Sequence, residues 1–168
     1  MSYELANNTD EQILETLLNT ERYYILKSYD IHIQLFYKYG KKDKDGYLKT
    51  PALQKNGKAI YAQTKIVSAF NRITDETDVK IILNKDIWDD LSEQEKTAVL
   101  DDQLHYIQIK EDKDGEPIMI SEDSDKVQLK LRKPDFYCEG FLDILNIYQK
   151  HYIPWQEAMA IVEKVSSK

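Results

Sequence analysis

Val79-Lys-Ile-Ile-Leu83 and Ser92-Glu-Gln-Glu-Lys-Thr-Ala-Val-Leu-Asp101 are the two patterns that decide the fold of this chain. The first is a short apolar run with the length and branched side chains of a buried strand. The second opens with a capping box, in which Ser92 and Glu95 each satisfy a backbone N–H of the other at a helix start. We therefore predict a strand followed by a helix over 92–109, with an earlier start near Asp86 as the alternative.

Outward from this centre, the chain repeats the same two kinds of pattern. Thr9 and Gln12 form a second capping-box pattern, and the apolar spacing after them predicts a helix from about Thr9 to Lys27. Alternating apolar residues predict a half-buried strand over Ile31–Tyr37. Further patterns predict an exposed charged loop over 38–57, strands over 58–68 and 127–131, and helices over about 135–150 and 154–165. Together they predict one α+β domain over 1–168, with a small, mostly antiparallel sheet packed against helices.

Charge and composition limit the classes of function. The 168 residues include 30 acidic and 23 basic side chains, for a net charge of −7. Phosphate contacts need clustered lysine and arginine, so direct binding to nucleic acid is not expected. Cys138 is the only cysteine, which excludes an intrachain disulfide and favours a buried thiol among aromatic neighbours. Since no signal peptide or membrane-length apolar run is visible, we expect a cytoplasmic protein.

Several short stretches follow one another in the order of a known family. An acidic-x-Trp entry, Asp86-Ile-Trp88, precedes Leu91-Ser-Glu-Gln-Glu-Lys96 and Ala98-Val-Leu-Asp101, and Leu129-Lys-Leu-Arg-Lys-Pro-Asp135 comes later. Over roughly residues 30–152, this succession resembles the putative phage metallopeptidase family, a zincin-like group. The resemblance implies a zincin-like α+β fold, an active-site helix near 92–109 and a phage protein acting inside its host cell.

The zinc-binding motif of that family would fall on the five residues after the Leu-Asp pair. In HExxH, two histidines four residues apart hold zinc on one helical face, and the glutamate activates the zinc-bound water. The resemblance places Asp102 at the first ligand position, Gln103 at the carboxylate position and Tyr106 at the second ligand position. A downstream histidine position carries Pro134. Gln103 cannot accept the proton and Pro134 has no donor atom, so these replacements predict no zinc cofactor and no zinc proteolysis.

An altered metal site is the alternative for the same helix. His105 points away from position 106, but it lies within one turn of Asp101 and Asp102. A metal could be held by Asp102, His105 and Asp135, with Asp101 or His151 as further candidates. The simpler interpretation is an ordinary hydrogen bond between imidazole and carboxylate. Asp102 and Tyr106 project together, so a hydrogen bond between them could fill the space of the zinc.

Three functions remain open after these steps. The first is a non-catalytic phage protein that acts by binding a host or phage protein, for example by inhibiting a host defence protein. Its candidate contact segments are the loops 38–57 and 110–126 and the tyrosine-rich surface. The second is a metal-dependent hydrolase with an altered site of Asp102, His105 and Asp135. The third is an acidic mimic of DNA.

Overall fold

The computed structural model describes residues 3–122, 124–134, 151 and 153–167, and for 153–155 the backbone alone. The chain divides into two compact units, Met1–Arg132 and Lys133–Lys168. The helix predicted over about 135–150 lies outside the described residues, and so do Asp135 and Cys138. The last helix, predicted over 154–165, runs over Ile153–Ser166.

The first unit alternates helices and strands along the chain. Its helices are α1 (Asn8–Leu18), α2 (Tyr24–Ser28), α3 (Ala69–Thr74), α4 (Lys85–Trp88) and α5 (Glu93–His105), with a 3₁₀ turn at Glu21–Tyr23; the helix of the second unit is α6 (Ile153–Ser166). The strands are β1 (Tyr3–Leu5), β2 (Ile33–Lys38), β3 (Lys41–Lys42), β4 (Leu48–Thr50), β5 (Gln54–Lys55), β6 (Lys58–Ala59), β7 (Ala62–Ile66), β8 (Val79–Asn84), β9 (Ile107–Ile109) and β10 (Leu129–Leu131).

A four-stranded mixed sheet forms the centre of this unit, in the order β1-β2-β8-β7. The outer pairings, β1 with β2 and β7 with β8, are antiparallel, whereas the central pairing of β2 with β8 is parallel. A parallel pair needs a long crossover, and the chain supplies it through the segment from β3 to α3. The predicted α+β class is confirmed, and two of the three pairings in this mixed sheet are antiparallel, as expected for a mostly antiparallel sheet.

The core lies between one face of this sheet and helices α1 and α5. Leu35, Ile81 and Leu83 point from the central strands into the same cluster as Leu100 and Leu104 of α5, and all five are buried. The alternation predicted for 31–37 is confirmed, since side chains two residues apart along a strand share a face. Strand β8 is more apolar than an edge strand because it pairs on both sides.

The N-terminal helix begins earlier and ends earlier than predicted. Asn7, not Thr9, is the N-cap, and its side chain accepts a hydrogen bond from the Asp10 N–H at 2.9 Å. The capping box of Thr9 with Gln12 is therefore wrong. The helix stops at Leu18 because Thr20 takes an extended backbone and its hydroxyl donates to the Leu17 carbonyl at 2.7 Å.

Helix α5 also ends sooner than the predicted 92–109. Its start is confirmed, with the capping box of Ser92 and Glu95 formed in both directions. Its last residue is His105, Tyr106 is the C-cap, and Ile107–Ile109 leaves the helix as β9 to pair with Leu129–Leu131. The apolar spacing of these residues fits a helical face as well as a strand, so the distant strand partner decides the outcome.

The segment over 38–57 is more ordered than the exposed loop predicted for it. It forms two small hairpins, and Ala52 and Leu53 between them are buried. The Asp86 carboxylate accepts the N–H of Gly40 at 2.9 Å and of Ala52 at 3.1 Å, which ties the segment to α4. The strand predicted over 58–68 is a hairpin arm followed by β7, and helix α3 after it was not predicted at all.

Among the described residues, no helix combines the length and the apolar composition required to cross a lipid bilayer.

Candidate functional site

Helix α5 carries the positions that the sequence analysis singles out, so its placement fixes the geometry of the candidate site. The Ser92 hydroxyl and N–H both contact the Glu95 carboxylate, at 2.7 and 2.8 Å, and these contacts lower the pKa of Glu95. One face of the helix is anchored by Leu100 and Leu104, which are fully buried. The last turn then lies against the edge strand β7.

Gln103 points inward to that edge strand. Its side chain is buried, with 7% of the residue exposed, and its Oε1 lies 3.1 Å from the hydroxyl of Thr64 on β7. The same hydroxyl lies 3.0 Å from the Gln103 carbonyl, so it shares its hydrogen between the two acceptors. The amide Nε2 donates to the Asp102 carboxylate at 3.1 Å. Both ends of the amide are therefore used inside the chain.

A second cluster forms on another side of the same turn. The Tyr23 hydroxyl donates to the Asp101 carboxylate and lies 2.6 Å from Nδ1 of His105. Because the hydroxyl has one hydrogen and gives it to Asp101, Nδ1 must be the donor to the Tyr23 oxygen. Arg22 completes the cluster with an ion pair to Asp101 at 2.8 Å. Burial, and then the Asp101 carboxylate, raise the pKa of Tyr23 above its usual value.

No local sequence signal pointed to Arg22 and Tyr23, because they belong to the N-terminal helical segment and meet α5 only in the fold. The two aromatic rings of Tyr23 and His105 contact edge to face, with centroids 5.6 Å apart. Asp101 and His105 were expected to pair by their spacing, and His105 Nδ1 lies 3.2 Å from the Asp101 carbonyl and 3.9 Å from its carboxylate. The imidazole is therefore within hydrogen-bonding distance of the Asp101 carbonyl, and the expected hydrogen bond to the Asp101 carboxylate is not formed.

The described residues of α5 do not fit a zinc ion. Asp102 turns to the amide of Gln103, whereas His105 turns to Tyr23, so the two candidate ligands do not converge. The guanidinium of Arg22 beside Asp101 is a fixed positive charge that opposes a divalent cation there. Across the described part of the chain, no three His, Cys, Asp or Glu side chains are grouped closely enough to hold a metal.

The remaining predicted positions are less informative. Tyr106 is half-buried at the end of α5, where its carbonyl accepts the Arg132 N–H at 2.8 Å. The hydrogen bond predicted between Tyr106 and Asp102 stays a prediction. Pro134 is half-buried and His151 is exposed, and both belong to the second unit. Asp135, the third candidate ligand, lies outside the described residues.

The acidic-x-Trp entry that carried the resemblance has a structural role. Trp88 is fully buried, and its Nε1 donates to the Asp10 carboxylate at 2.7 Å. The same carboxylate accepts the hydroxyl of Tyr37, and burial followed by this hydrogen bond raises the pKa of Tyr37. These contacts tie α1, β2 and α4 together.

The comparison with protein families decides the relationship. The model of the family described as "Putative phage metallopeptidase" matches residues 8–165, nearly the whole chain. This chain belongs to that family. No curated protein and no solved structure matches it. Membership confirms the resemblance drawn from 86–101 and 129–135. It also extends the resemblance beyond 30–152, because the match takes in the N-terminal helix and α6.

The resemblance drawn from the sequence places the expected zinc motif on the last turn of α5. What the turn holds in this member is a neutral buried amide, an exposed carboxylate and an imidazole committed to a tyrosine. A general base needs a titratable group near the proton that it takes, and the amide of Gln103 is not one. The hydrogen bonds between Gln103 and Thr64 stabilise the contact of helix and strand.

Proposed function

We propose that this phage metallopeptidase family member is non-catalytic and acts by binding a protein of the host cell or of the phage. A host defence protein is the class of target that we favour, because a phage protein without enzymatic activity can act by blocking one. One observation carries the proposal. At the expected position of the catalytic carboxylate, Gln103 is buried and both ends of its amide are hydrogen-bonded inside the chain.

Chemistry explains why this observation weighs against zinc proteolysis. The amide has no proton-accepting state near neutral pH, so it cannot activate a zinc-bound water. Its hydrogen bond with Thr64 also holds the amide against the edge strand and away from solvent. We propose that a zincin-like scaffold is kept while the site is closed by side-chain packing.

Metal analysis tests this part of the proposal. The chain is purified without chelators, its metal content is measured by mass spectrometry, and zinc is then titrated calorimetrically. We expect less than about a tenth of an equivalent of zinc or another transition metal. A structural zinc site would instead hold about one equivalent tightly. One equivalent held tightly, and lost in Asp102→Ala, would overturn the proposal in favour of the altered-site hydrolase. His32→Gln serves as the control for weak binding to an exposed imidazole, because His32 lies outside the altered site.

The β3–β4 hairpin is the contact surface that we favour for a protein partner. At its tip Tyr47 is 74% exposed, and Leu48 next to it is also exposed. The Asp43 carboxylate accepts the N–H groups of Asp45 and Tyr47 at 3.0 and 2.9 Å, which fixes the turn. With the base of the segment held by Asp86, the tyrosine is presented on an ordered loop. Ordered, exposed tyrosines contribute strongly to interfaces because little side-chain entropy is lost on binding.

Capture from infected cells, followed by reconstitution, tests the binding function. A tagged chain should recover one protein in stoichiometric amount, and the purified pair should form a complex by size-exclusion chromatography. We expect Tyr47→Ser to weaken that complex by about tenfold or more, the usual loss for an interface hot spot. Tyr24→Ser is the matched control, because Tyr24 is equally exposed on α2 but lies outside the hairpin. Equal losses in both variants would reject the hairpin as the contact surface, and repeated failure to recover any partner would count against binding as the function.

A further inference from the structure

The four-stranded sheet has a second face, which points away from the core and has a composition unlike that of the rest of the protein. Residues paired directly across strands share a face, so the register places Tyr3, Phe36, Lys38, Lys65 and Lys80 together around Ile82. Five of these six residues, all but Lys38, line a shallow groove of about 390 Å³. In the described register, none of the strand residues on this face is acidic.

The charge of this face is the reverse of the charge of the chain. Lys65 stands directly opposite Lys80 on the neighbouring strand, and a pair of like charges in that position destabilises a sheet. None of the three lysines of the face has a carboxylate within ion-pairing distance among the residues that the structure describes. Although the net charge of the chain is −7, no carboxylate neutralises this local excess of positive charge within the described fold. An anion between Lys65 and Lys80 would remove the repulsion.

Each aromatic ring of the face has one of these ammonium groups beside it. Lys80 Nζ lies 5.6 Å from the centre of the Phe36 ring, and Lys38 Nζ lies 5.8 Å from the centre of the Tyr3 ring. Tyr3 is 54% exposed. The two rings lie on adjacent strands as diagonal neighbours. The face therefore carries two copies of the same unit, an aromatic ring with an ammonium group beside it. Nucleotides repeat the complementary pair, a base with a flat π face next to a phosphate.

We propose that this outer sheet face binds single-stranded nucleic acid, a function beyond the protein binding proposed above. Bases would stack on Tyr3 and Phe36, and Lys38, Lys65 and Lys80 would contact the phosphates. Single-stranded nucleic acid is favoured over a duplex because only unpaired bases expose their faces for stacking on the side chains of the sheet. Nucleic acid is favoured over a protein because lysine is depleted in protein interfaces, whereas it is the usual contact of phosphates. Net charge alone argued against nucleic acid, but net charge does not report how the register gathers the lysines.

Fluorescence anisotropy with the full chain and a labelled oligothymidylate of about 20 nucleotides tests the proposal, a length that exceeds the binding sites of comparable sheet surfaces. We expect saturable binding that weakens as salt is raised. The double variant Lys65→Gln/Lys80→Gln should weaken binding about tenfold or more and reduce the slope of log K against log salt by about 1.4, since each phosphate contact to a single strand contributes about 0.7. Phe36→Leu should weaken binding and leave that slope unchanged.

A second double variant removes the same charge elsewhere. Lys44→Gln/Lys113→Gln lies in two matching Asp-Lys-Asp-Gly turns at exposed hairpin tips, and we expect it to leave the affinity within about twofold at equal salt. Circular dichroism and thermal unfolding check that each variant is folded. Lack of oligothymidylate binding, or equal losses in both double variants, would overturn the proposal. Equally tight binding of poly-glutamate or of vesicles containing phosphatidylserine would overturn it too, because it would show attraction by charge without recognition of bases.

Discussion

The substitution Gln103→Glu is the most direct perturbation of the candidate site, since it restores the residue type expected for a zinc peptidase and changes few atoms. In the folded chain, Gln103 accepts from Thr64 and donates to Asp102. An ionised carboxylate at this position would lose the donor and would face the negative charge of Asp102 in a buried site. Two unit charges about 4 Å apart repel by about 4 kcal/mol at an effective dielectric constant of 20.

The introduced carboxyl can avoid this repulsion by keeping its proton, and the cost of doing so sets the magnitude. A protonated carboxyl can donate to Asp102 and accept from Thr64, so it would reproduce both hydrogen bonds of Gln103. Holding a carboxyl of ordinary pKa, about 4.3, in the protonated form at pH 7 costs up to about 3.7 kcal/mol, at about 1.4 kcal/mol per pH unit. We therefore expect a loss of about 2 to 4 kcal/mol in the free energy of unfolding at pH 7.

The destabilisation by Gln103→Glu should grow as the pH rises. The folded chain raises the pKa of the introduced carboxyl above its unfolded value. Below about pH 4 the group is protonated in both states, so the variant and the parent chain should be equally stable there. As the pH rises through the unfolded pKa, the unfolded state ionises first and the stability of the variant falls, until the folded pKa is passed. At pH 4.5 the difference should be below about 1 kcal/mol.

Urea unfolding followed by tryptophan fluorescence measures this difference, because Trp88 is fully buried in the fold. The parent chain and the variant are compared at pH 4.5, 5.5, 6.5 and 7.5. Gln63→Glu is the matched control, since Gln63 precedes Thr64 on the same strand but its side chain is exposed, and a change within about 0.5 kcal/mol is expected. A Gln103→Glu difference that stays constant with pH, or no difference at pH 7, would refute the argument from burial.

Three other contacts give predictions that spectroscopy can check. Asp78→Asn should destabilise the fold by about 3 to 5 kcal/mol in urea unfolding, because it leaves the buried Arg72 guanidinium, now 2.7 Å from the carboxylate, without its counter-charge. Ser92→Ala should cost about 1 kcal/mol in the same assay, since it removes the N-cap of α5. In an alkaline titration followed by ultraviolet absorbance, Tyr23→Phe should remove one of the tyrosines that ionise at the highest pH. Because burial and Asp101 raise the pKa of Tyr23, the contribution of that residue to stability should be lost as the pH rises above about 10.

Each of these substitutions has a control at an exposed position. Asp75→Asn, Ser28→Ala and Tyr24→Phe change the same residue types at exposed positions, and each should alter stability by less than about 0.5 kcal/mol. An effect of Asp78→Asn no larger than that of Asp75→Asn would show that the ion pair with Arg72 does not hold α3 against the sheet. Ionisation of Tyr23 together with the exposed tyrosines would show that its site is open to solvent.

The stabilisation that Asp78 contributes to the fold should be lost at low pH. Burial alone would raise the pKa of Asp78, but the hydrogen bonds from the His32 N–H and the Arg72 guanidinium hold it below its usual value. The stabilisation is therefore present above the unfolded pKa and is lost as the pH falls through the folded one. In Asp78→Asn this part of the acid dependence should disappear.

Local patterns predicted the elements whose signals lie within a few residues. The capping box correctly predicted the start of α5, and the alternation of apolar residues correctly predicted β2. Both signals arise from residues that are close to one another in sequence. Local patterns failed where a distant partner decides. Ile107–Ile109 leaves the helix because it pairs with Leu129–Leu131, about twenty residues later in sequence. Helix α3 was missed because its anchor, the buried pair of Arg72 and Asp78, reads in sequence as ordinary surface charge.

The candidate site divides in the same way. Spacing along one helix correctly suggested that Asp101 and His105 interact, since residues four apart are neighbours. Nothing in the local sequence announced Tyr23, which reaches His105 from 82 positions away. The lysines of the outer sheet face were equally invisible, because Lys65 and Lys80 become neighbours only through the register of two strands.

Under the proposed function, loss of the metal and loss of the acid would be physically linked at Gln103. With zinc bound, a carboxylate beside the metal is stabilised by the positive charge; without zinc, the same carboxylate would be a buried charge beside Asp102. A neutral amide of the same shape keeps the contact with Thr64 and removes that charge. Under the proposed function, glutamine is thus the residue that holds helix to strand once no metal is present. It follows that histidines introduced at 102 and 106 together with zinc should reduce the cost of Gln103→Glu, whereas the histidines without zinc should not.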